Sequence, residues 1–283
     1  MAARNHRRTV DQVTMNRRQD YETRLRHKSL LVAGVSTALV VLAIVLLVPM
    51  APGWEGVKSS FFNAEIFAKT FPKLLKAFIW DIAIFAWSVP LICMLGLAIA
   101  LARSVRSPAL FPLRIFGAAY VDIFRGVPVV LVIYLVGFGI PGLGLPRPWN
   151  SPYIWGTVAL VLTYSAYIAE VLRGGIESIH ASQRAASICL GMSERDTMRY
   201  VILPQAIRRV IPANMNMLVA LQKDVALLSF IGPVEILRQA GIFKSLLANF
   251  TPYVAAALIF LCVTVPATRY ADYLMNRDRN ARS

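Results

Sequence analysis

Long apolar runs are the feature that most constrains this chain. Residues 30–50 form 21 consecutive residues without a charge, and a helix rising about 1.5 Å per residue over that length spans the roughly 30 Å of a bilayer core. A secretory signal has a shorter apolar region of about 7 to 15 residues, so an uncleaved transmembrane helix is the better interpretation. Further runs predict helices at residues 76–102, 127–140, 154–172, 211–231 and 252–270. The predicted fold class is an all-α integral membrane protein with six transmembrane helices.

The distribution of basic residues predicts the orientation. Six spans place both termini on one side, together with residues 103–125 and 173–209, and 22 of the 30 Lys and Arg lie on that side. Because positive loops remain in the cytoplasm, we expect the N- and C-termini to be cytoplasmic. Topology and contact with lipid headgroups therefore account for most of the net charge of +15. Nucleic acid is not expected as a partner.

A polar insertion at residues 173–209, called the elbow below, separates the fourth and fifth runs. It predicts a first helix over residues 181–190, ended by Gly191, since glycine readily adopts the left-handed conformation past a helix end. Ser193 and Asp196 form a capping signal for a second helix, which we expect to stop near Leu203 and Pro204. Small residues in the first helix favour close docking of another protein. These residues are Ala185, Ala186 and Ser187.

Ionisable residues inside the spans are candidates for a transport pathway. Lys223 and Asp224 lie within the fifth run, where a charge costs about 2.5 to 3.5 kcal/mol on insertion scales. Adjacent helical residues point about 100° apart, so either each finds a separate partner or the helix is broken there. An interhelical clamp is the alternative to a pathway. Asp81 and Asp122 lie near predicted span ends and are expected to be interfacial.

The fourth run carries a second set of polar residues, and an amino-acid substrate would require one acceptor and one donor. Asp224 and Glu170 are candidate acceptors, and Lys223 and Arg125 are candidate donors. Helix packing with hydroxyl hydrogen bonds is the alternative for each residue taken alone. The polar residues of this run are Thr163, Tyr164, Tyr167 and Glu170.

Signals for catalysis are missing from the sequence. It contains no G-x-x-x-x-G-K-[ST] phosphate loop, G-x-S-x-G motif or H-E-x-x-H motif. The three histidines have no companion ligands, and the three cysteines show no metal or redox spacing. We therefore expect a transport subunit rather than an enzyme, with no cofactor or metal bound by this chain.

Four motifs in order resemble the membrane subunits of ATP-binding-cassette (ABC) importers, in particular their polar amino-acid branch. The elbow reads A-A-S, then Gly191, then V-I-L-P at residues 201–204, which is similar to the EAA loop of that family. FRGVP at residues 124–128, AYIAEVLRGGIESI at 166–179 and KDVALLSFIG at 223–232 are similar to its other motifs. The resemblance covers about residues 71–270.

The resemblance implies a type I importer core of five helices, with residues 29–50 as an extra helix. It divides the chain into a basic tail (1–28), the extra helix (29–50), an external segment (51–75), the transmembrane domain (76–270) and a C-terminal tail (271–283). It also implies a cytoplasmic coupling-helix loop, two ATPase subunits that bind ATP and Mg²⁺, an extracytoplasmic amino-acid-binding protein and a second permease subunit, identical or related. The implied coupling residues are Ala185, Ala186, Ser187, Gly191, Leu203 and Pro204.

This chain departs from the family pattern at two places. Ala185 replaces the glutamate of the EAA motif and Ser187 replaces its second alanine; Val225 and Ala226 replace small hydroxyl residues after Lys-Asp. The resulting prediction is a permease subunit in a bacterial cytoplasmic membrane that moves a polar amino acid by alternating access. The alternative is a secondary transporter or channel that works without an ATPase.

Overall fold

The computed structural model describes residues 29–104 and 108–280, the last six of these without their side chains. Several basic residues used for the predicted orientation lie outside that description. They are the tail at 1–28, Arg106, Arg282 and the side chains of Arg277 and Arg279. The described residues form helices, turns and loops, without strands. They belong to two compact units that divide between Ser60 and Phe61.

The helices follow the apolar runs of the sequence. They are α1 (Ser29–Met50), α2 (Trp54–Phe61), α3 (Ala64–Ser104), α4 (Phe111–Gly126), α5 (Val129–Gly139), α6 (Pro152–Glu177), α7 (Ala181–Cys189), α8 (Glu194–Asp196), α9 (Leu203–Asp224), α10 (Ile236–Leu247) and α11 (Thr251–Asn280).

Helix α1 belongs to the first unit and agrees with the predicted first helix. Its side chains are exposed along its whole length, although they are almost all apolar. An α-helix satisfies its own backbone hydrogen bonds, so such a helix suits a lipid environment.

Helix α3 is longer than the apolar run that predicted it. It begins at Ala64, where the Asn63 side-chain oxygen accepts a hydrogen bond from the Ile66 N–H at 3.0 Å. Three exposed lysines in its first turns interrupt the apolar pattern. The sequence therefore predicted a start at residue 76, after these turns. The predicted external segment is therefore largely helical. These residues are Lys69, Lys73 and Lys76.

Helix α6 lies at the centre of the larger unit, with α3, α4, α5 and α9 packed around it. The Tyr120 hydroxyl of α4 donates to the Leu162 carbonyl oxygen of α6 at 2.8 Å, so α4 is attached to the helix core. Helix α4 thus occupies most of the basic 103–125 segment. Fully buried Ile92, Ile133 and Leu160 form the centre of the core.

Four helices of the described residues are long and apolar enough to cross a membrane: α1, α2 with α3, α6, and α11 as far as Leu274. Two bent pairs would raise the number to six. In one, the chain bends by 106° between α4 and α5; in the other, it bends by 50° between the segment Glu194–Ile231 and α10.

Candidate functional site

The first helix of the elbow has defined caps at both ends. The His180 Nδ1 accepts the Ser182 N–H at the start of α7, at 3.2 Å. Past its end, Gly191 has φ +77°, the Gly191 N–H bonds the Ile188 carbonyl at 2.9 Å, and the Met192 N–H bonds the Ser187 carbonyl at 3.1 Å. This pair of bonds is a Schellman motif. The predicted helix and its glycine terminator are confirmed.

The second helix of the elbow is capped as predicted but does not end where predicted. The Ser193 Oγ accepts the Asp196 N–H at 3.1 Å. The chain then stays helical through a π-helix at Thr197–Ile202 into α9, so the predicted stop near Leu203 and Pro204 is wrong. Proline has no N–H and clashes with the carbonyl four residues before it; the wide π-turn accommodates it, and the Gln205 side-chain amide donates to the Val201 carbonyl at 2.9 Å.

The outer surface of α7 is both small and apolar. Ala185 and Ala186 are exposed as predicted, whereas Ser187 is 3% exposed and bonds the Gln183 carbonyl, so Ser187 is not part of the exposed face. Gly191 and Pro204 are exposed and Leu203 is half-buried. The small-residue pattern missed larger exposed side chains beside them. These are Ile188 (55%), Leu190 (81%) and Tyr200 (64%).

The inner side of the elbow is held firmly against α6 and α9. Buried Ile176, Ile179, Ile202 and Ala206 form a separate apolar cluster there. The Arg209 guanidinium donates to the Ser178 carbonyl oxygen at 2.5 Å. The end of α6 is therefore joined to the start of α9, and α7 packs against the π-helix that leads into α9.

Tyr164 and Asp224 connect α6 with α9. The Tyr164 hydroxyl donates to Asp224 Oδ2 at 2.8 Å, and Tyr164 is 4% exposed. The helix also changes here, because α9 ends at Asp224 and a 3₁₀ segment runs over Val225–Ile231. Of the two alternatives for the Lys-Asp pair, the interrupted α-helix occurs, and Asp224 also has a partner of its own in Tyr164.

Glu170 is the centre of an ion-pair network. It accepts two hydrogen bonds from Arg173, from Nη2 at 2.6 Å and Nε at 3.1 Å, and one from Arg103 at 2.7 Å. Arg125 lies 3.8 Å away, with its guanidinium carbon 6.0 Å from the centre of the Tyr167 ring. Glu170 is therefore already neutralised by three arginines, which sequence spacing alone did not reveal.

The remaining pathway candidates are dispersed. Thr163 is fully buried and bonds the Ala159 carbonyl of its own helix, while Lys223 is exposed. The Tyr164 and Tyr167 rings are 5.9 Å apart. The structure thus brings Tyr164, Tyr167 and Asp224 together and places Thr163 inside the packing.

Asp81 connects α3 with α10, and its expected position at a membrane interface stays a prediction. It is fully buried in α3, and its Oδ2 accepts the Ile236 N–H at the start of α10, at 3.1 Å. Glu235 is also fully buried and caps α10 through the Leu237 and Arg238 N–H groups. Asp81 therefore attaches α10 to α3, which requires a contact across 155 residues.

With this geometry in view, sequence comparison decides the family. Residues 110–279, more than half of the chain, match the family described as "Binding-protein-dependent transport system inner membrane component". The chain belongs to this family. It is a permease subunit of an ABC importer and an integral membrane protein.

Curated relatives agree with that assignment. The chain is 35% identical over 185 residues to the "Probable glutamine ABC transporter permease protein GlnM" of Bacillus subtilis (strain 168), covering 65% of this chain and 83% of that one. It is 31% identical to the "Probable amino-acid ABC transporter permease protein YckA" of the same strain, covering 78% and 94%.

Solved structures give the same fold. "Crystal structure of an amino acid ABC transporter with histidines" describes a chain that superposes with a TM-score of 0.67 at 30% identity, covering 74% of the permease and 96% of that chain. A MetNI methionine ABC transporter in an inward-facing conformation superposes with a TM-score of 0.57 at 19% identity, which shows a shared fold alone.

Proposed function

We propose that the permease translocates a polar amino acid across a bacterial cytoplasmic membrane as one of two pore-forming subunits. Its family membership establishes the transport role, and the relatives named for glutamine and other amino acids support the substrate class. The second pore subunit is another copy or a related chain, and an extracytoplasmic binding protein delivers the substrate. A transporter or channel working without an ATPase is set aside because the family is binding-protein dependent.

The proposed topology has six spans with both termini in the cytoplasm. Each bent helix pair then counts as one span, so α4 with α5 forms one span, and the segment Glu194–Ile231 with α10 forms another. The basic residues on the elbow side support this orientation through the positive-inside rule. They also meet the anionic lipid headgroups of the inner leaflet.

The proposed energy source is a pair of cytoplasmic ATPase subunits, which would hold ATP and Mg²⁺ and dock on the elbow. The observation that carries this proposal is an exposed α7 surface on an elbow whose two ends contact each other, with α7 packed against the π-helix that leads into α9. Closure of the ATPases would move α7, and the attached helices would rock to open the cavity alternately on each side.

Docking on α7 would depend on shape more than on charge. Ala185 stands where the family motif has glutamate, so no carboxylate is present at that position. The exposed alanines allow close approach, and Ile188 and Leu190 offer apolar area near the Gly191 turn. Apolar anchors that enter a partner's pocket are typical of strong interface contacts.

Gly191→Pro is expected to abolish substrate-stimulated ATPase activity in the assembled transporter. Proline cannot adopt φ +77° and would also lose the 2.9 Å bond from the Gly191 N–H to the Ile188 carbonyl. Gly191→Asn is the matched control, because asparagine tolerates the left-handed conformation. The measurement is ATP hydrolysis and uptake in proteoliposomes containing all subunits.

Ala186→Arg should produce the same uncoupling without altering the turn, since it places a long side chain on the exposed face. Ala186→Ser keeps the face small and is expected to transport normally. Normal ATP-dependent uptake by both Gly191→Pro and Ala186→Arg would contradict docking at the elbow.

Asp224 is proposed as the acceptor for a substrate ammonium group, and Asp224→Asn tests this role. A hydrogen bond to a charged group contributes about 1.5 to 3 kcal/mol, so uptake per folded molecule should fall by about tenfold or more. Tyr164→Phe removes the donor at 2.8 Å but keeps the carboxylate. It should lower thermal stability while retaining uptake per folded molecule. If uptake in both variants falls only with the amount of folded protein, the pair is a structural clamp and the proposed role is wrong.

A further inference from the structure

A cavity of about 420 Å³ lies where the end of α3, α4, the end of α6 and α7 meet. Each of these four helices contributes an arginine to its wall. The four are Arg103, Arg114, Arg173 and Arg184. Small-molecule sites have volumes of about 300 to 1,000 Å³, so the cavity is large enough for a ligand.

The charges around this arginine cavity are unbalanced. Glu170 and Glu177 bind Arg103 and Arg173. Among the described residues, neither Arg114 nor Arg184 forms an ion pair, and the Arg114 guanidinium lies over the Phe111 ring at 5.1 Å. Four guanidinium groups and one carboxylate, that of Glu177, therefore line the open volume, an arrangement that favours a bound anion.

The arrangement of the donors suits a phosphate group. A guanidinium presents a planar set of donors that can bind two phosphate oxygens at once, and here the donors approach from different helices. The Phe111, Leu113 and Phe116 side chains of α4 are exposed beside Arg114. This apolar surface would suit the acyl chains of a phospholipid whose headgroup enters the cavity.

We propose that the arginine cavity binds a phosphate group, supplied by an anionic phospholipid headgroup or by free phosphate, and that this group fastens α7 to α3 and α4. The anion would supply the negative charge that Arg114 and Arg184 lack. Because Ala185 and Ala186 do not line the cavity, the outer face of α7 stays accessible while the site is occupied.

The test is a direct binding measurement, so it is independent of the transport assays above. The detergent-purified, delipidated full chain would be titrated with phosphatidylglycerol, with phosphatidylcholine and with inorganic phosphate, and bound species would be counted by native mass spectrometry. The test variant is Arg114→Gln with Arg184→Gln. The matched control is Arg208→Gln, which removes one exposed charge from the elbow outside the cavity.

We expect the double variant to bind phosphatidylglycerol or inorganic phosphate, whichever the wild type binds, about tenfold more weakly than the wild type does. Each lost guanidinium removes a charge-assisted hydrogen bond. Arg208→Gln should bind normally. Tight binding of phosphatidylglycerol, but not phosphatidylcholine, identifies a lipid source; binding of inorganic phosphate with no preference between lipids identifies a soluble source. Equal binding of every probe by wild type and double variant would overturn the proposal. If the double variant does not fold, each single variant is measured under the same criterion.

Discussion

Glu170→Gln is expected to destabilise the permease by about 1.5 to 3 kcal/mol, since hydrogen bonds to a charged group contribute about that much. Glu170 is 23% exposed and contacts Arg103 at 2.7 Å, Arg173 at 2.6 Å and Arg125 at 3.8 Å. Three arginines on three helices would lose a shared carboxylate. The C-terminal ends of α3, α4 and α6 would therefore separate more easily. A lower yield of folded protein and a lower melting temperature in detergent are the expected measurements.

Glu177→Gln is the matched control for this prediction because it changes the same residue type on the same helix. Glu177 pairs with Arg173 four residues away and is 63% exposed. Exposed helical pairs of this kind contribute about 0.3 to 0.5 kcal/mol. Equal melting temperatures for the two variants would show that Glu170 does not organise the network.

Gly175→Val is expected to disrupt the contact between α6 and α9. A Cβ at residue 175 would lie 2.3 Å from the Val210 Cγ1 and 3.3 Å from the Ala206 carbonyl oxygen. Both neighbours are on α9, and a β-branched side chain and a backbone atom cannot move aside easily. Overpacking of this kind costs about 1 to 3 kcal/mol, and the added γ-methyl groups increase the crowding.

Gly174→Val separates this steric effect from helix propensity. A Cβ at residue 174 meets nothing within 4 Å, although the two glycines are adjacent in the same helix. We expect near-normal melting and transport for Gly174→Val and a clear loss of both for Gly175→Val. Similar losses in the two variants would mean that the glycines act through backbone freedom and not through close packing.

The local features of the elbow could be predicted from sequence because their causes are local. A helix cap depends on residues within one turn, so Ser193 with Asp196 and the glycine at 191 were sufficient evidence. Pro204 shows the limit of that reasoning. Its effect on a helix depends on whether the preceding turn can widen, and here a π-helix at Thr197–Ile202 keeps the chain helical.

Partners across helices could not be predicted in the same way. Sequence spacing placed Tyr164, Tyr167 and Glu170 along one helix, but it could not show that Tyr164 binds Asp224 while Glu170 binds three arginines. For Asp81 it could not show the hydrogen bond from the Ile236 N–H at the start of α10. The actual start of α3 at Ala64 puts Asp81 well inside the helix, against α10.

The sequence by itself determined that this chain is a helical membrane protein and that its elbow resembles an importer coupling loop, and it predicts the orientation through the positive-inside rule. These properties follow from apolar length, charge distribution and residue order along the chain. Only the tertiary structure decided which charges neutralise each other, which face of α7 is exposed and where four arginines surround an open cavity. Those features depend on distances between segments far apart in sequence, which close packing of the helices sets.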